Sequence, residues 1–175
     1  MTWLITGGAG YIGAHVVRET LASGRKVVIL DDMSTGISRR IPDGVVLEQV
    51  TLTDSDGVKG VFERHDITGV LHLAARKQVG ESVERPLYYW DENVNGFNNL
   101  LSAMTAHDIK NLVFSSSAAV YGQPDVEPGA FITEETQCTP INPYGATKLA
   151  GEWISAALAN SNGLRVAALR YFNVA

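Results

Sequence analysis

Short apolar runs recur along the chain and are separated by longer stretches that carry helix-capping residues. The runs cover residues 3–5, 27–30, 45–50, 70–73, 112–114 and 166–169. Each run is continuous rather than alternating, which is typical of strands that are covered on both faces. The alternation of such runs with helical stretches predicts an α/β fold in which crossover helices join parallel strands.

Capping residues indicate where several of these helices begin and end. Ser23 and Gly24 would close the first helix, and residues 53–56 offer N-caps to the helix after the third strand. Asn142 followed by Pro143 is typical of an N-cap and a first helical position. We therefore predict a helix between the fifth and sixth strands that begins at Pro143.

Composition excludes several classes of function. The 175 residues carry a net charge of −5, so we expect no basic surface that would bind DNA, RNA or anionic lipid. No apolar run approaches the ~18 residues that a membrane-spanning helix needs. The single cysteine, Cys138, has no internal disulfide partner, and neither it nor any histidine has neighbours at metal-ligand spacing. The first predicted strand begins at Thr2 and leaves no room for a cleavable leader, so we expect a cytoplasmic protein without a metal.

A glycine-rich turn follows the first apolar run directly. Gly7, Gly10 and Gly13 are spaced three apart in the sequence Thr-Gly-Gly-Ala-Gly-Tyr-Ile-Gly. In dinucleotide-binding folds the first glycine allows a tight turn, the second lets the backbone approach a pyrophosphate, and the third lets helix and strand pack closely. The helix that follows would offer its free N–H groups to the phosphates. The three glycines are therefore candidate cofactor-binding residues.

Asp31 ends the second apolar run, where a carboxylate can accept hydrogen bonds from the ribose hydroxyls of the adenosine half of a dinucleotide. The same negative charge would repel a 2′-phosphate, which favours NAD over NADP. We interpret Asp32 as a loop carboxylate. We interpret Arg39 and Arg40 as a solvated pair rather than as partners of a 2′-phosphate.

A second group of candidate residues lies in the later part of the chain. Tyr144 and Lys148 are four residues apart and would project from one helix face. A free tyrosine, with a pKa near ~10, is a poor base at neutral pH. A nearby lysine ammonium and the positive nicotinamide of the oxidised cofactor would lower that pKa. Ser117, at the end of the fifth strand, would hydrogen-bond the reacting oxygen while the tyrosine takes the proton.

A nucleophilic serine is the rival interpretation of this second group. The chain has no Gly-x-Ser-x-Gly elbow and no histidine that a motif pairs with the serine. Residues 121–140, which separate Ser117 from Tyr144, form the longest stretch without a clear period. Because long loops in compact domains are usually functional, we expect this stretch to form a wall of the active site.

These motifs resemble those of the extended short-chain dehydrogenase/reductase family and, within it, the UDP-glucose 4-epimerases. The resemblance covers the whole chain and rests on segments 7–13, 72–77, 79–82, 93–96, 115–122, 143–148 and 170–173. Sugar-nucleotide dehydratases of this family place acidic residues directly after the serine or threonine, where this chain has Ala118 and Ala119. The motifs and the resemblance together predict a doubly wound parallel (Rossmann) sheet of strand order 3-2-1-4-5-6. Helices would cover both faces, and residues 1–175 would form one NAD-binding domain.

The resemblance implies the interconversion of UDP-glucose and UDP-galactose by NAD-mediated oxidation and re-reduction at sugar C4. Tyr144 would be the base, Lys148 its cofactor-side helper, and Ser117 a catalytic partner that binds substrate. The residues that would contact NAD are Gly7, Gly10, Tyr11, Ile12, Gly13, Asp31, Lys77, Asn93, Tyr144, Lys148 and Phe172. The residues that would contact the UDP-sugar are Ser117, Tyr144 and Asn173.

Two departures from the family pattern bear on these expectations. The family often has Asp-Ile near the end of the third strand, where it meets adenine, and Thr51 and Leu52 stand there in this chain. The family also continues for about as long again, so we expect its carboxyl-terminal substrate domain to be absent from this chain. By analogy with the family, a homodimer would form through residues 92–106 and 144–159. Two alternatives stay open: another NAD-dependent sugar-nucleotide epimerase or reductase, and an NAD-binding module without turnover.

Overall fold

The computed structural model of the protein describes residues 1–124 and 131–174. These residues form one sheet in which every neighbouring pair of strands is parallel. The strands are β1 (Thr2–Thr6), β2 (Lys26–Leu30), β3 (Val46–Glu48), β4 (Ile67–His72), β5 (Asn111–Ser117) and β6 (Arg165–Tyr171). Their order in the sheet is β3-β2-β1-β4-β5-β6, so the predicted fold class and strand order are confirmed.

α-Helices connect all consecutive strands except β2 and β3. They are α1 (Tyr11–Ala22), α2 (Ser55–Arg64), α3 (Val79–Glu84), α4 (Pro86–Trp90), α5 (Gly96–Ala106) and α6 (Pro143–Asn162). A π-helical turn, Asp91–Asn95, joins α4 to α5, and short 3₁₀ turns cover Ser38–Arg40 and Ala118–Tyr121. Within these described residues, no helix combines the length and the apolar character needed to cross a bilayer.

The predicted caps of α1, α2 and α6 are confirmed. Ser23 is the C-cap of α1. The Asp54 carboxylate accepts a hydrogen bond from the backbone of the first turn of α2 at 3.0 Å. The Asn142 side chain does the same for α6 at 2.8 Å, with Pro143 at the first helical position. Because this cap fixes where α6 begins, it also fixes which residues of the helix reach the edge of the sheet.

Separate apolar cores lie on the two faces of the sheet. On one face, α2, α5 and α6 pack against strand side chains such as Leu4, Val70 and Phe114. On the other face, α1 packs against Ile5 and Ile29. The prediction of helices on both faces is confirmed. All strands run in one direction, so their carboxyl ends, and the loops that follow them, meet at one edge.

The prediction that every strand is covered on both faces is wrong for the last two strands. In β5 the burial alternates from residue to residue, and in β6 the segment 167–169 is exposed. The reason is the position of α1, whose main strand contacts are with β1 and β2. The helix that packs against β5 and β6 is α6, and it lies on the opposite face. A continuous apolar run therefore identified each strand, but it did not indicate how many layers cover it.

Candidate functional site

A groove of about 530 Å³ lies at the carboxyl edge of the sheet. It follows the loops after β1, β2, β4 and β5 and the first turns of α1 and α6, which is where doubly wound folds bind their ligands. The structure brings every candidate site residue to this groove: Gly7, Gly10, Tyr11, Ile12, Gly13, Asp31, Lys77, Asn93, Ser117, Tyr144, Lys148, Phe172 and Asn173. Two distant parts of the sequence therefore form one site.

The described residues of the expected wall, 121–124 and 131–140, lie away from this groove. Residues 125–130 are outside the described part of the chain, and none of the other residues of this stretch lines the groove. The two ends of the stretch meet each other, since the Thr139 hydroxyl donates to the Tyr121 carbonyl at 3.2 Å. Ile132 and Cys138 pack against a buried cluster that includes Leu149. The described part of the stretch thus packs against the beginning of α6 and away from the groove.

Glycine is required at two positions of the first turn because the backbone passes close to itself there. Gly7 has a φ of 70°, and a Cβ on it would lie 2.8 Å from the Ala74 backbone nitrogen. A Cβ on Gly13 would lie only 2.0 Å from the Gly7 carbonyl oxygen. Gly10 is the N-cap of α1, so the unpaired N–H groups of the first helical turn face the groove. A larger side chain would force this turn apart, whereas with glycine its free N–H groups form a cradle that can bind an anionic group.

A buried histidine holds the glycine turn against the loop after β4. The Thr6 hydroxyl accepts hydrogen bonds from the Leu73 and Ala74 backbones at 3.2 and 3.3 Å. Its own proton therefore goes to Nδ1 of His72, 2.8 Å away, which makes His72 the neutral Nε2–H tautomer. Burial, with the nearby Lys148 ammonium, holds the pKa of His72 well below its usual value. The histidine is a core residue that fixes the β1–β4 junction.

Asp31 is buried at the end of β2, with its carboxylate held in place by two backbone groups. One oxygen accepts a hydrogen bond from the Ala9 N–H at 3.0 Å and the other from the Met33 N–H at 2.9 Å. Each carboxylate oxygen has a second lone pair, so both can still accept a hydroxyl proton. The carboxylate is thus oriented in advance toward the groove that it lines.

The neighbouring charged residues match their interpretation from sequence. Asp32 accepts hydrogen bonds from the N–H and hydroxyl of Ser34 at 2.9 and 2.6 Å, as a loop carboxylate does. Arg39 is exposed, and the Arg40 guanidinium stands 6.0 Å from the centre of the Tyr11 ring. Neither arginine lines the groove.

Ser117, Tyr144 and Lys148 meet at the other end of the groove. Ser117 ends β5 and Tyr144 lies in the first turn of α6, with Lys148 one turn further. The Lys148 side chain is buried, and its ammonium donates to the Ser115 carbonyl at 2.8 Å. It also stands 5.2 Å from the centre of the Phe114 ring. A phenol, a hydroxyl and an amine therefore share one partly enclosed volume beside the glycine turn.

Residues 3–175 match the NAD dependent epimerase/dehydratase family. This chain belongs to that family. Two curated relatives are UDP-glucose 4-epimerases: that of Streptomyces lividans is 44% identical over 174 residues, and that of Corynebacterium glutamicum is 46% identical over 175 residues. The alignments cover 99% and 100% of this chain but 52% of each relative. The chain therefore spans about half the length of the curated relatives it matches.

Solved structures of the family have the same fold as this chain. The UDP-glucose 4-epimerase of Thermus thermophilus in complex with NAD superimposes with a TM-score of 0.94 at 38% identity, covering 98% of this chain and 55% of that one. The UDP-glucose 4-epimerase of Bifidobacterium longum in complex with NAD⁺ and UDP gives 0.90 at 36% identity, covering 99% and 53%. The predicted family, and NAD as the cofactor of that family, are confirmed.

The electrostatics of Tyr144 in this family member differ from the prediction. Burial raises the pKa of the phenol above its usual value, and a hydrogen bond with Ser117 lowers it by less. The expected lowering by Lys148 is not found. Burial disfavours the ammonium as well and reduces the pKa of Lys148 to about 8. The positive nicotinamide on which the prediction also relied belongs to the bound oxidised cofactor. The protein by itself therefore holds a neutral phenol at pH 7.

Replacing Lys148 with methionine should stabilise the fold while weakening NAD binding. The buried ammonium has a pKa of about 8 against an ordinary value of 10.5, which corresponds to a cost of about 3 kcal/mol at neutral pH. Removing the ammonium removes this cost, and the loss of its hydrogen bond to Ser115 offsets about 1 kcal/mol of the resulting stabilisation. We expect the variant to unfold at higher denaturant concentration at pH 7.

The same variant should change how stability depends on pH. Between about pH 8 and pH 10.5 the unfolded wild type binds more protons than the folded form, so its free energy of unfolding rises with pH. The advantage of Lys148→Met should therefore shrink across this window. Urea denaturation at several pH values measures this difference in the free energy of unfolding. A variant less stable than wild type at pH 7 would show that the buried lysine does not destabilise the fold.

Several residues that support the site have no signature in the sequence. Glu152 of α6 accepts hydrogen bonds from Arg170 at 2.7–3.3 Å and from the Ser116 hydroxyl at 2.5 Å. The Arg170 guanidinium also donates to the Tyr121 hydroxyl at 3.0 Å and to the Glu134 carbonyl at 3.1 Å. This network ties β5, β6 and α6 together one residue away from Ser117. Only the pairing of distant residues in the fold reveals it.

Asn93 has structural partners that the sequence did not indicate. Its amide nitrogen donates to the Arg76 carbonyl at 2.9 Å and to the Thr147 hydroxyl at 3.1 Å, and its oxygen accepts from the Arg76 N–H at 2.8 Å. The side chain therefore clamps the backbone of the loop after β4 against α6. Its contact with the cofactor stays a prediction, as do those of the exposed Lys77, Phe172 and Asn173.

Proposed function

We propose that residues 1–175 are the NAD-binding domain of a UDP-glucose 4-epimerase and carry its hydride-transfer residues. The observation that carries the proposal is the convergence of the glycine turn, Asp31 and the group Ser117, Tyr144 and Lys148 on one groove. Relatives at 42–46% identity bear the name UDP-glucose 4-epimerase. The proposal combines the chemistry of the groove with that relationship.

The groove suits NAD in shape and in charge. Because Gly7 and Gly13 carry no Cβ, the turn packs closely against the loop after β4 and the start of α1, which would let its backbone approach a pyrophosphate. Asp31 would accept the ribose hydroxyls, and the first turn of α1 would bind the phosphates. Lys148 would hold the ribose of the nicotinamide half. When bound, NAD would supply an acceptor for the hydride of sugar C4 and return it to the opposite face.

The protein's own residues would handle the proton and the orientation of the sugar. The Tyr144 Oη would take the proton of the C4 hydroxyl, and the Ser117 hydroxyl would hold the same oxygen in line. Ala118 and Ala119 follow the serine, so no carboxyl group stands there to remove the proton that the elimination of water requires. This absence supports an epimerase rather than a dehydratase.

NAD should bind more tightly than NADP, and Asp31 should be the reason. A 2′-phosphate would stand within a few ångströms of the buried carboxylate with little solvent between them. Replacing Asp31 with asparagine should narrow the ratio of the two dissociation constants by about tenfold, a change of about 1.4 kcal/mol. Titration with NADH and NADPH, followed by nicotinamide fluorescence, measures both constants. Equal or tighter NADPH binding by the wild type would contradict the assignment.

We further propose a cytoplasmic homodimer that acts on UDP-sugars and not on nucleic acid. The net charge of −5 and the single cysteine support this location and the absence of a nucleic-acid partner. Within the segments expected to form the dimer, the large apolar side chain of Trp153 on α6 is exposed at 66%. Burying such residues is a common function of a subunit interface. Light scattering of the purified protein measures the subunit count, and a monomer would contradict the proposal.

A further inference from the structure

Arg76 connects two loops that leave non-adjacent strands. From the loop after β4, its guanidinium donates to the Ser34 hydroxyl at 3.1 Å and to the Asp32 carboxylate at 3.4 Å, both in the loop after β2. The Nε of the same group donates to Glu92 at 2.9 Å in the π-helical turn. All four residues line the groove. We call this set of contacts the Arg76 bridge.

The order of the strands fixes where the Arg76 bridge runs. β1 lies between β2 and β4, and neighbouring strands are about 4.8 Å apart. A side chain that reaches from the loop after β4 to the loop after β2 must therefore pass the carboxyl end of β1. The turn that begins at Gly7 leaves the sheet at that point. The bridge thus crosses the groove beside the cradle proposed for the pyrophosphate.

The two ends of the bridge differ in strength. At the β4 end, Asn93 clamps the Arg76 backbone through two hydrogen bonds, and the side chain bonds Glu92 at 2.9 Å. The Tyr88 ring lies 5.3 Å from the guanidinium. At the β2 end, the contact with Asp32 is longer, at 3.4 Å, and the one with Ser34 is exposed. The bridge would therefore open at the β2 end while the arginine stays on Glu92.

We propose that Arg76 is a positioning residue that straps the dinucleotide into the groove and sets its rates of binding and release. The proposal rests on the proposed binding of NAD. A strap that must open for the ligand to pass slows both rates, whereas a simple contact with the ligand slows release alone. The loss of the strap therefore has a kinetic signature that the loss of a contact does not have.

The test compares Arg76→Met with wild type in stopped-flow measurements of NADH binding and release. Methionine keeps most of the apolar stem, and the backbone clamp by Asn93 does not depend on the side chain. We expect both rate constants to rise about tenfold, the change that corresponds to one charge-assisted hydrogen bond. The dissociation constant should change much less than either rate. Faster release with unchanged binding would overturn the strap and leave Arg76 as a contact residue.

Two further variants separate the bridge from general effects of charge. Arg85→Met makes the same substitution at a second arginine, whose guanidinium lies 3.9 Å from the centre of the same Tyr88 ring. Arg85 does not line the groove, so we expect this variant to bind and release NADH at wild-type rates. Asp32→Asn keeps the oxygen that accepts from Ser34 but weakens the bridge. Combined with Arg76→Met, it should add nothing further to the rates, because both changes break one connection. Additive effects would overturn the proposal.

A readout without cofactor distinguishes this inference from the proposed function. In the protein alone, amide hydrogen exchange of the loop at 32–36 should be faster in Arg76→Met than in wild type, with an unchanged Tm. If wild type binds no NADH, both the proposed function and the strap are overturned. If wild type binds NADH and Arg76→Met has wild-type rates and exchange, the strap alone is overturned.

Discussion

Replacing Tyr144 with phenylalanine, assayed in a protein of the full length of its relatives, is expected to lower kcat for UDP-galactose conversion by about 10²–10⁴-fold. The substitution removes one oxygen, while the ring keeps its place in the first turn of α6. NAD affinity should change little, because the glycine turn, Asp31 and Lys148 are untouched. An ultraviolet assay of sugar conversion and an NADH titration measure the two quantities separately.

Tyr171→Phe is the matched control for this experiment. Tyr171 also lines the groove, and burial also raises the pKa of its phenol. If kcat falls for Tyr171→Phe and not for Tyr144→Phe, the base has been assigned to the wrong tyrosine.

The dependence of the rate on pH should also identify the base. Because Tyr144 accepts a proton, its active form is the phenolate, and kcat/KM should increase with pH until the phenol is fully ionised. Burial raises the pKa of this phenol in the protein, whereas a bound positive nicotinamide should lower it. The pKa seen in the rate profile should therefore lie below the pKa of Tyr144 in the cofactor-free protein, measured from phenolate absorbance. Equal values would show that the cofactor charge does not reach the phenol.

The sequence predicted those features that depend on neighbours along the chain. The spacing of Gly7, Gly10 and Gly13, the Asn142 cap and the continuous apolar runs each reflect a local backbone requirement. Their predictions agree with the structure because the required geometry lies within one turn or one strand. The place of Asp31 at the end of β2 is local in the same way, whereas its approach to the glycine turn depends on the pairing of β2 with β1.

Features that depend on packing could not be predicted in this way. The pKa of Tyr144 rises because its phenol is buried, and burial is decided by elements distant in sequence. The exposure of β6 depends on where α1 packs. The Arg76 bridge joins residues 44 positions apart, and the Glu152 network joins residues up to 49 apart. A single sequence holds no signal for such pairs, so the polar framework behind the site emerges only from the fold.

Gly13→Ala is expected to abolish detectable NAD binding and to destabilise the fold. The added Cβ would lie 2.0 Å from the Gly7 carbonyl oxygen and 2.8 Å from the Gly8 Cα, all of them backbone atoms that no rotamer change can move away. The first turn of α1 and the glycine turn must therefore separate, which removes the cradle. Overpacking of this kind costs about 1–3 kcal/mol of stability. We expect a loss of NADH affinity of more than about 100-fold, which corresponds to about 2.7 kcal/mol.

Two other glycines make the Gly13→Ala experiment a graded series. A Cβ on Gly10 would lie 3.1 Å from the Gly7 carbonyl oxygen, so Gly10→Ala should weaken NADH binding less than Gly13→Ala does. A Cβ on Gly80, inside α3, meets nothing within 4 Å, and there alanine should raise stability slightly, by about 0.5–1 kcal/mol. Urea denaturation ranks the three variants by stability, and NADH titration ranks them by affinity. If close approach of the backbone at the turn is what binds the pyrophosphate, NADH affinity must fall in the order Gly80→Ala, Gly10→Ala, Gly13→Ala. Wild-type NADH affinity in Gly13→Ala would mean that the phosphates bind elsewhere in the groove.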